Sequence, residues 1–153
     1  SGRTAIRYVS DAPPASGSWH QWREIYHQNS VLGAVSQSNG VPTGAVIERG
    51  SNANGEYVRF ADGTQICTRQ ITLGAPNVAD GAGFSGATST NWTYPAGFAP
   101  GITPSIGGAC TNVGKVWVSS FVASNTAASL IAERFTPVAT APVSNVFAIG
   151  RWF

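Results

Sequence analysis

Short runs of alternating apolar and polar residues fill most of the chain beyond residue 50, and residues 54–67, NGEYVRFADGTQIC, show the pattern most clearly. The stretch predicts two strands joined by a tight turn. A two-residue loop would divide the apolar side chains between the two faces of the hairpin. A three-residue loop over residues 61–63, with Gly63 in the left-handed conformation, instead places Val58 opposite Ile66.

We predict the three-residue loop because it collects the apolar side chains on one face. Burial of that face in a core would supply the free energy that holds the hairpin in place. The expected core face carries Val58, Phe60 and Ile66. The opposite face carries Tyr57, Arg59, Gln65 and Cys67.

The later part of the chain predicts further short strands, separated by turns rich in Gly and Pro. Six or so antiparallel strands at intervals of about ten residues are typical of a β-sandwich, so we predict an all-β sandwich head over residues 49–153. The predicted strands after the hairpin lie near 92–94, before Cys110, and within 114–124, 129–135 and 143–153. Residues 74–91, GAPNVADGAGFSGATSTN, are predicted to be a loop, and a loop of this length in a compact domain is usually functional.

Residues 1–48 differ from the rest and are predicted to form a short N-terminal collar or stalk. Segment 19–30, WHQWREIYHQNS, has aromatic and apolar residues at spacings of three and four, which fits one face of a helix. The alternation over 22–27 fits a strand equally well, and both alternatives stay open. The segment that follows, up to about residue 55, is expected to be extended and to pack against the head.

Both faces of the predicted strands carry large apolar side chains. In the last strand we expect Val143, Phe147 and Ile149 to face the core. Large aromatic residues on the opposite faces would form an exposed patch in a monomer, so the pattern predicts an oligomer that covers them. The residues expected at this interface are Trp19, Trp22, Trp117, Phe121, Trp152 and Phe153.

The composition narrows the possible partners. Charged residues make up 10% of the chain, and the net charge of +2 comes from scattered Arg residues with Lys115 as the one lysine. Because no basic stripe is present, we expect no nucleic-acid partner. No apolar run reaches the roughly 20 residues that span a bilayer, and no signal peptide is apparent, so we expect neither membrane insertion nor secretion.

The ionisable residues do not form a recognisable catalytic or metal site. Only Asp80 and Glu133, among seven acids, lack a local structural role, and His20 and His27 lie far from the cysteines and the serine-rich segments. We therefore expect no catalysis, no metal and no cofactor. Cys67 and Cys110 are expected to be reduced thiols rather than a disulfide.

Recognition of a sugar or a surface needs aromatic rings beside hydroxyl and amide groups on a rigid scaffold. Loop 80–91 and the strand that follows it offer such groups. The alternative is that Trp92 and Tyr94 are core or interface residues, because they alternate with Thr93. The candidate binding residues are Asp80, Phe84, Asn91, Trp92 and Tyr94.

Several segments together resemble a known family. SGSWHQWREIYHQNS (16–30) is similar to the W-x-x-W-R-E-I-Y-H element of tail-fibre and tail-spike proteins of bacteriophages and prophages. NGEYVRFADGTQIC (54–67), WTYPAGFAP (92–100) and the closing VFAIGRWF (146–153) resemble the C-terminal head of such fibres. The resemblance covers residues 19–29 and 50–153, and no motif in it marks the binding residues.

The resemblance implies a function as well as a fold. Heads of this family are similar to H-type lectins: they are six-stranded sandwiches, assemble as homotrimers at the distal tip of the fibre, and recognise a host receptor, commonly a polysaccharide, without catalysis. It implies synthesis in a host cytoplasm, a place in the virion tail and contact with the remainder of the fibre. Two alternatives remain, a structural trimerisation or capping domain and a fibre-borne polysaccharide depolymerase.

Overall fold

The hairpin around Gly63 forms in the predicted register. In the computed structural model, which describes residues 5–6, 23–24 and 28–153, Val58 pairs with Ile66. Gly63 has a φ of 95°, and its N–H donates to the carbonyl of Phe60 at 3.0 Å. Glycine adopts this conformation without a steric penalty, so the turn residue and the register support each other. Both predictions are confirmed.

The strands of the described residues confirm the all-β, antiparallel fold. The large sheet contains ten of them, in the order β5-β6-β7-β14-β11-β12-β13-β9-β8, with β10 also paired to β13. In chain order the elements are β1 (Ala5–Ile6), β2 (Arg23–Glu24), a helical turn α1 (Gln28–Val31), β3 (Gln37–Ser38), β4 (Val41–Pro42), β5 (Ile47–Asn52), β6 (Gly55–Phe60), β7 (Thr64–Thr72), β8 (Pro76–Asp80), β9 (Gly83–Gly86), β10 (Thr90–Thr93), β11 (Ser105–Cys110), β12 (Trp117–Ala123), β13 (Ala127–Arg134) and β14 (Val143–Arg151).

The segment before β5 is attached to the edge of this sheet. Leu32 forms a parallel bridge with Ile47, and the N–H of Val35 donates to the Glu48 carboxylate at 2.9 Å. β2 pairs with β1 and is extended at Arg23–Glu24, whereas the rest of 19–27 lies outside the described residues. The division at residue 48 falls within β5 and stays a prediction.

The core is built around three aromatic rings contributed by β10 and the segment after it. Trp92 and Tyr94 meet edge to face with centroids 5.1 Å apart, and Tyr94 and Phe98 meet at the same distance. Edge-to-face pairs of this kind add to the free energy of apolar burial. The buried side chains around them come from β7 and the residue after it, from β13 and from β14. They include Cys67, Ile71, Leu73, Ala128, Leu130, Ala132, Val146 and Ala148.

The face of the hairpin that enters this core is the reverse of the predicted one. Gln65 and Cys67 are fully buried, whereas Val58, Phe60 and Ile66 are half-buried on the outer side of the sheet. Cys67 and its pairing partner Ala148 are small, which leaves room for the three rings. Burial of Gln65 is tolerated because its amide donates to the carbonyl of Ala96 at 2.8 Å, which leaves the polar group satisfied.

The same reversal holds in β14. Ser144, Val146 and Ala148 point into the core, whereas Phe147 and Ile149, which were expected inside, are 41% and 40% exposed. Register explains the agreement between the two strands, because Ala148 pairs with Cys67 and Ile149 pairs with Ile66. The choice of the buried face on β7 therefore determines the buried face on β14.

The stretch 74–91 is not the continuous loop that was expected. It contains the β8–β9 hairpin, in which Asp80 pairs with Gly83 and Gly81 takes a φ of 57° at the tip. β9 then pairs with β13 through Ser85 and Phe84. The hairpin is thus held against the sheet, and its tip lies beside the end of β13.

Candidate functional site

The outer side of the sheet carries an apolar surface formed by Val58, Phe60, Ile66, Phe147 and Ile149, here called the outer apolar face. One row of paired residues crosses five strands through Arg49, Val58, Ile66, Ile149 and Ser105. Three neighbouring members of this row are aliphatic. An apolar surface of this kind on a sheet is typical of a protein interface.

A groove runs along this face beside the N-terminal segment. It encloses about 770 Å³ and is lined by Leu32, Ile47, Val58, Phe60 and Ile66 among others. Leu32 is 62% exposed at its rim. Arg49 and Glu56 also line the groove, so it offers apolar side chains beside one group of each charge.

A second, smaller cavity lies at the β8–β9 hairpin and is called here the hairpin cavity. It encloses about 210 Å³ and is lined by Asp80, Ala82, Gly83, Phe84, Trp117, Glu133, Arg134 and Phe135. The rings of Trp117 and Phe135 lie 5.0 Å apart at an angle of 58°. Two predicted binding residues, Asp80 and Phe84, are brought together here with Trp117, which was expected at an interface.

The carboxylate of Glu133 is fixed in this cavity by its neighbours. Trp117 lies directly opposite Glu133 in the β12–β13 pair, and its indole N–H donates to Glu133 Oε2. The hydroxyl of Ser119 donates to the same oxygen at 2.8 Å. Beside it, the Nε of Arg134 is buried and has no hydrogen-bond partner among the described residues.

The other predicted binding residues lie elsewhere. Asn91 is exposed on β10, opposite Ser129. Trp92 and Tyr94 are buried in the core, and the Trp92 indole donates to the carbonyl of Asn54 at 3.0 Å. Their ring faces are covered by the protein, which supports the alternative that they are core residues.

The predicted interface residues divide into three groups. Trp117 and Phe121 lie on the outer side of β12, where they are 38% and 62% exposed. Trp152 and Phe153 are half-buried against the turn at 60–63 of the same chain, and their expected place at an interface stays a prediction. The remaining pair, Trp19 and Trp22, lies outside the described residues.

The sequence interpretation missed most of the hairpin cavity and the position of the outer apolar face. Glu133 was recognised only as an acid without a local role, and Arg134 and Phe135 were not singled out. The usable signal was the order E-R-F at the end of a predicted strand, where side chains leave the sheet. Its partner hairpin could not be found while 74–91 was interpreted as a loop.

Other chemistry is limited within the described residues. They contain no group of three His, Cys, Asp or Glu side chains placed to hold a metal ion, and none of their helices has the length and apolar character to cross a membrane. Cys67 and Cys110 are free thiols. Burial raises the pKa of Cys67, which keeps it protonated and unreactive.

The chain is similar to two solved structures at low sequence identity. The chain matches no protein-family model and no curated protein. Among solved structures it is similar to an N-truncated R1-type pyocin tail fibre, with 19% identity, a TM-score of 0.49, and coverage of 68% of this chain and 84% of that one. It is also similar to the C-terminal part of the P. aeruginosa R1 pyocin fibre, with 15% identity, a TM-score of 0.47, and coverage of 88% and 49%. Neither likeness decides function or assembly.

Proposed function

We propose that this chain is the distal domain of a bacteriophage or prophage tail fibre, which attaches the particle to a receptor on the host cell surface. The fibre-like motifs at 16–30, 54–67, 92–100 and 146–153 support this function, and the antiparallel all-β fold is compatible with a head of the H-type-lectin-like kind. In this function the chain belongs to the virion tail and joins the remainder of the fibre.

The observation that carries the proposal is the outer apolar face. Phe147 and Ile149 are each about two-fifths exposed, on a sheet whose inner side already holds the core. We propose that two further copies of the chain cover this face, giving a homotrimer. Phe121 is included in the proposed interface, and Trp19 and Trp22 stay predictions for the collar.

A trimer suits attachment because three weak sites act together. A single sugar site commonly binds weakly, but linked copies can bind together with an avidity about 10²–10⁴ times the affinity of one site. We propose that the receptor is a cell-surface polysaccharide. The aromatic and carboxylate groups of the hairpin cavity support this choice over an apolar ligand, because a sugar has both an apolar face and polar edges.

Adsorption measurements test this function. Labelled protein should bind to some members of a panel of bacterial strains and should compete with free surface polysaccharide from the strains that it binds. Asp80→Ala combined with Phe135→Ala, which truncates two exposed lining residues of the hairpin cavity and keeps the β8–β9 hairpin, should abolish this binding while the mass in solution stays unchanged. Binding that survives this double substitution would place the receptor site elsewhere on this chain. Absence of binding by the wild-type chain to every strain would favour a structural trimerisation or capping domain, with recognition placed elsewhere on the fibre.

A fibre-borne depolymerase is the second candidate function. It is favoured by one observation, that Asp80 and Glu133 line the same cavity, since glycoside hydrolysis uses two carboxyl groups across a cleft. The proposed attachment function expects no release of reducing ends from any bound polysaccharide. Cleavage that is lost in Asp80→Asn and in Glu133→Gln would replace attachment by hydrolysis.

A further inference from the structure

The outer side of the sheet carries two separate aromatic or apolar surfaces, and β11 lies between them. The residues of β11 on this side are Ser105, Gly107 and Ala109, which pair with outward residues of β14. A Cβ placed on Gly107 would lie 2.6 Å from the ring of Phe147, so this ring lies over the glycine on the β14 side. Trp117 lies on the other side of this strip of small residues. The interface proposed for the outer apolar face therefore does not account for the exposed ring of Trp117.

We propose that the hairpin cavity binds one hexopyranose unit of a neutral or amino-sugar polysaccharide. The inference rests on the proposed attachment function and names the site and the class of sugar. Trp117 and Phe135 pack against the apolar face of the ring, and the carboxylates of Asp80 and Glu133 accept hydrogen bonds from its hydroxyl groups.

The size of the cavity matches a single sugar unit. Its 210 Å³ is below the roughly 300–1,000 Å³ of sites that enclose drug-sized ligands. Phe135 is 73% exposed and Trp117 is 38% exposed, so one side of the cavity is open to solvent. A polymer can therefore place one residue in the cavity while the chain continues on both sides.

The aromatic walls supply the apolar contact. The two rings meet at 58° and form a corner rather than a flat stack. The C–H face of a pyranose can lie on one ring while its edge approaches the other. Aromatic side chains lose little conformational entropy on binding, which makes exposed rings efficient contacts for a weak ligand.

The polar groups supply orientation and selectivity. Glu133 is held by Trp117 and Ser119, so its position is fixed before a ligand binds. Ionised carboxylates accept hydrogen bonds only, and a guanidinium only donates them. The lining side chains comprise two acids and one arginine; this excess of negative charge disfavours uronic acids and favours the ammonium group of an amino sugar.

Three methyl glycosides that share one ring test the inference. Nitrogen-15 NMR spectra of the full chain are recorded with methyl glycosides of glucosamine, glucose and glucuronic acid. We expect the indole N–H resonance of Trp117, assigned by its loss in Trp117→Phe, to shift with the first two sugars and to stay unchanged with the third. Shifts confined to other tryptophans, or a preference for glucuronic acid, would overturn the proposal.

Substitutions of cavity residues then test whether the hairpin cavity binds the polysaccharide. Phe135→Ala should weaken binding of the polysaccharide by about tenfold, as expected for loss of one aromatic contact. Glu133→Gln, which keeps the size of the side chain, should weaken it and remove the preference for glucosamine. Val41→Ala is the matched control, because this exposed apolar residue lies on β4, outside both the cavity and the proposed interface, and its binding should equal that of the wild type.

The outcomes distinguish this proposal from the proposed function. If the protein binds cells and polysaccharide, and both Phe135→Ala and Glu133→Gln bind equally well, the assigned site is wrong while attachment stands. If the wild-type protein binds no cell of the panel and no polysaccharide, attachment fails and the sugar site fails with it.

Discussion

The indole N–H of Trp152 donates a hydrogen bond to the backbone carbonyl of Phe60 at 2.9 Å, across 92 residues of chain. The N–H of Trp152 also donates to the carbonyl of Gly63 at 3.0 Å. The residue that follows β14 and the turn between β6 and β7 are therefore joined twice, by a side chain and by the backbone. The guanidinium of Arg151 adds a third bond, to the carbonyl of Asp62 at 2.8 Å.

Substitution at Trp152 should therefore reduce the stability of the fold. Trp152→Phe removes the indole donor and is expected to cost about 1 kcal/mol of the free energy of unfolding. Trp152→Ala also removes the apolar contact and should cost about 2–3 kcal/mol. Denaturant titration measures both values. A change in mass in solution without a change in the free energy of unfolding would mean that Trp152 contributes to an interface and not to the fold.

Substitution of Gly63 tests the turn, and substitution of a second glycine, Gly114, serves as the control. Gly63→Ala would force a side chain into the left-handed region, and its Cβ would lie 2.8 Å from Arg151 Cζ and 3.1 Å from the ring of Phe153. We expect a loss of about 1–3 kcal/mol from the strained backbone and this contact. Gly114→Ala is the control, because its Cβ would have no neighbour within 4 Å. Equal melting temperatures for the two variants would contradict the account of the turn.

Tyr94 should become a source of alkaline instability. Burial raises its pKa to about 12 from an ordinary value of 10.0, with a smaller contribution from Cys67. The unfolded state ionises first, so stability is fully present below about pH 10 and is lost as the pH rises through about 12. Tyr94→Phe should flatten this part of the stability curve, as measured by unfolding at several pH values.

At neutral pH the same substitution should be nearly neutral. The Tyr94 hydroxyl is buried without a hydrogen-bond partner among the described residues, so Tyr94→Phe removes an unsatisfied polar group and keeps the ring. We expect a change within about 1 kcal/mol in either direction. A loss well beyond this range would mean that the hydroxyl has a partner. Unchanged polysaccharide binding in this variant would also agree with its place in the core.

Protonation of Asp62 should reduce the stability of the fold at acid pH. Hydrogen bonds from the Thr64 N–H, at 2.8 Å, and from the Thr64 hydroxyl lower the pKa of its carboxyl group below the ordinary value of 3.8. The stabilisation is therefore present above that value and is lost as the pH falls through the lower pKa of the folded state. Asp62→Asn should lose less stability than the wild type between about pH 5 and about pH 2. Parallel acid curves for the two proteins would contradict this role.

The local structure followed from the sequence more fully than the choice of core face did. Turn chemistry at Gly63 and the pairing of Val58 with Ile66 needed only neighbouring residues. Which face was buried depended on Trp92 and Phe98, far along the chain, and on the carbonyl of Ala96 that satisfies Gln65. An alternating pattern with apolar groups on both sides cannot decide this, because both choices bury hydrophobic area.

In the candidate sites, too, some features could be predicted from local sequence and others depend on distant residues. Asp80 and Glu133 could be recognised as acids without a local role, but their common cavity arises because β9 pairs with β13 at Glu133 and Ser85. That pairing joins segments almost fifty residues apart. Phe135 and Trp117 likewise meet only after β12 and β13 are in register. Pairings of this kind depend on the tertiary fold rather than on local pattern.

The mass of the purified chain in solution tests the central claim, that copies of this chain cover the outer apolar face. Light scattering across a dilution series should give the mass of three chains of 15.9 kDa each. Phe147→Ser, on the exposed side of β14, should shift this mass to one chain while Asn145→Ser, two residues away on the same side, leaves it unchanged. A wild-type protein with the mass of a single chain at every concentration would contradict the account.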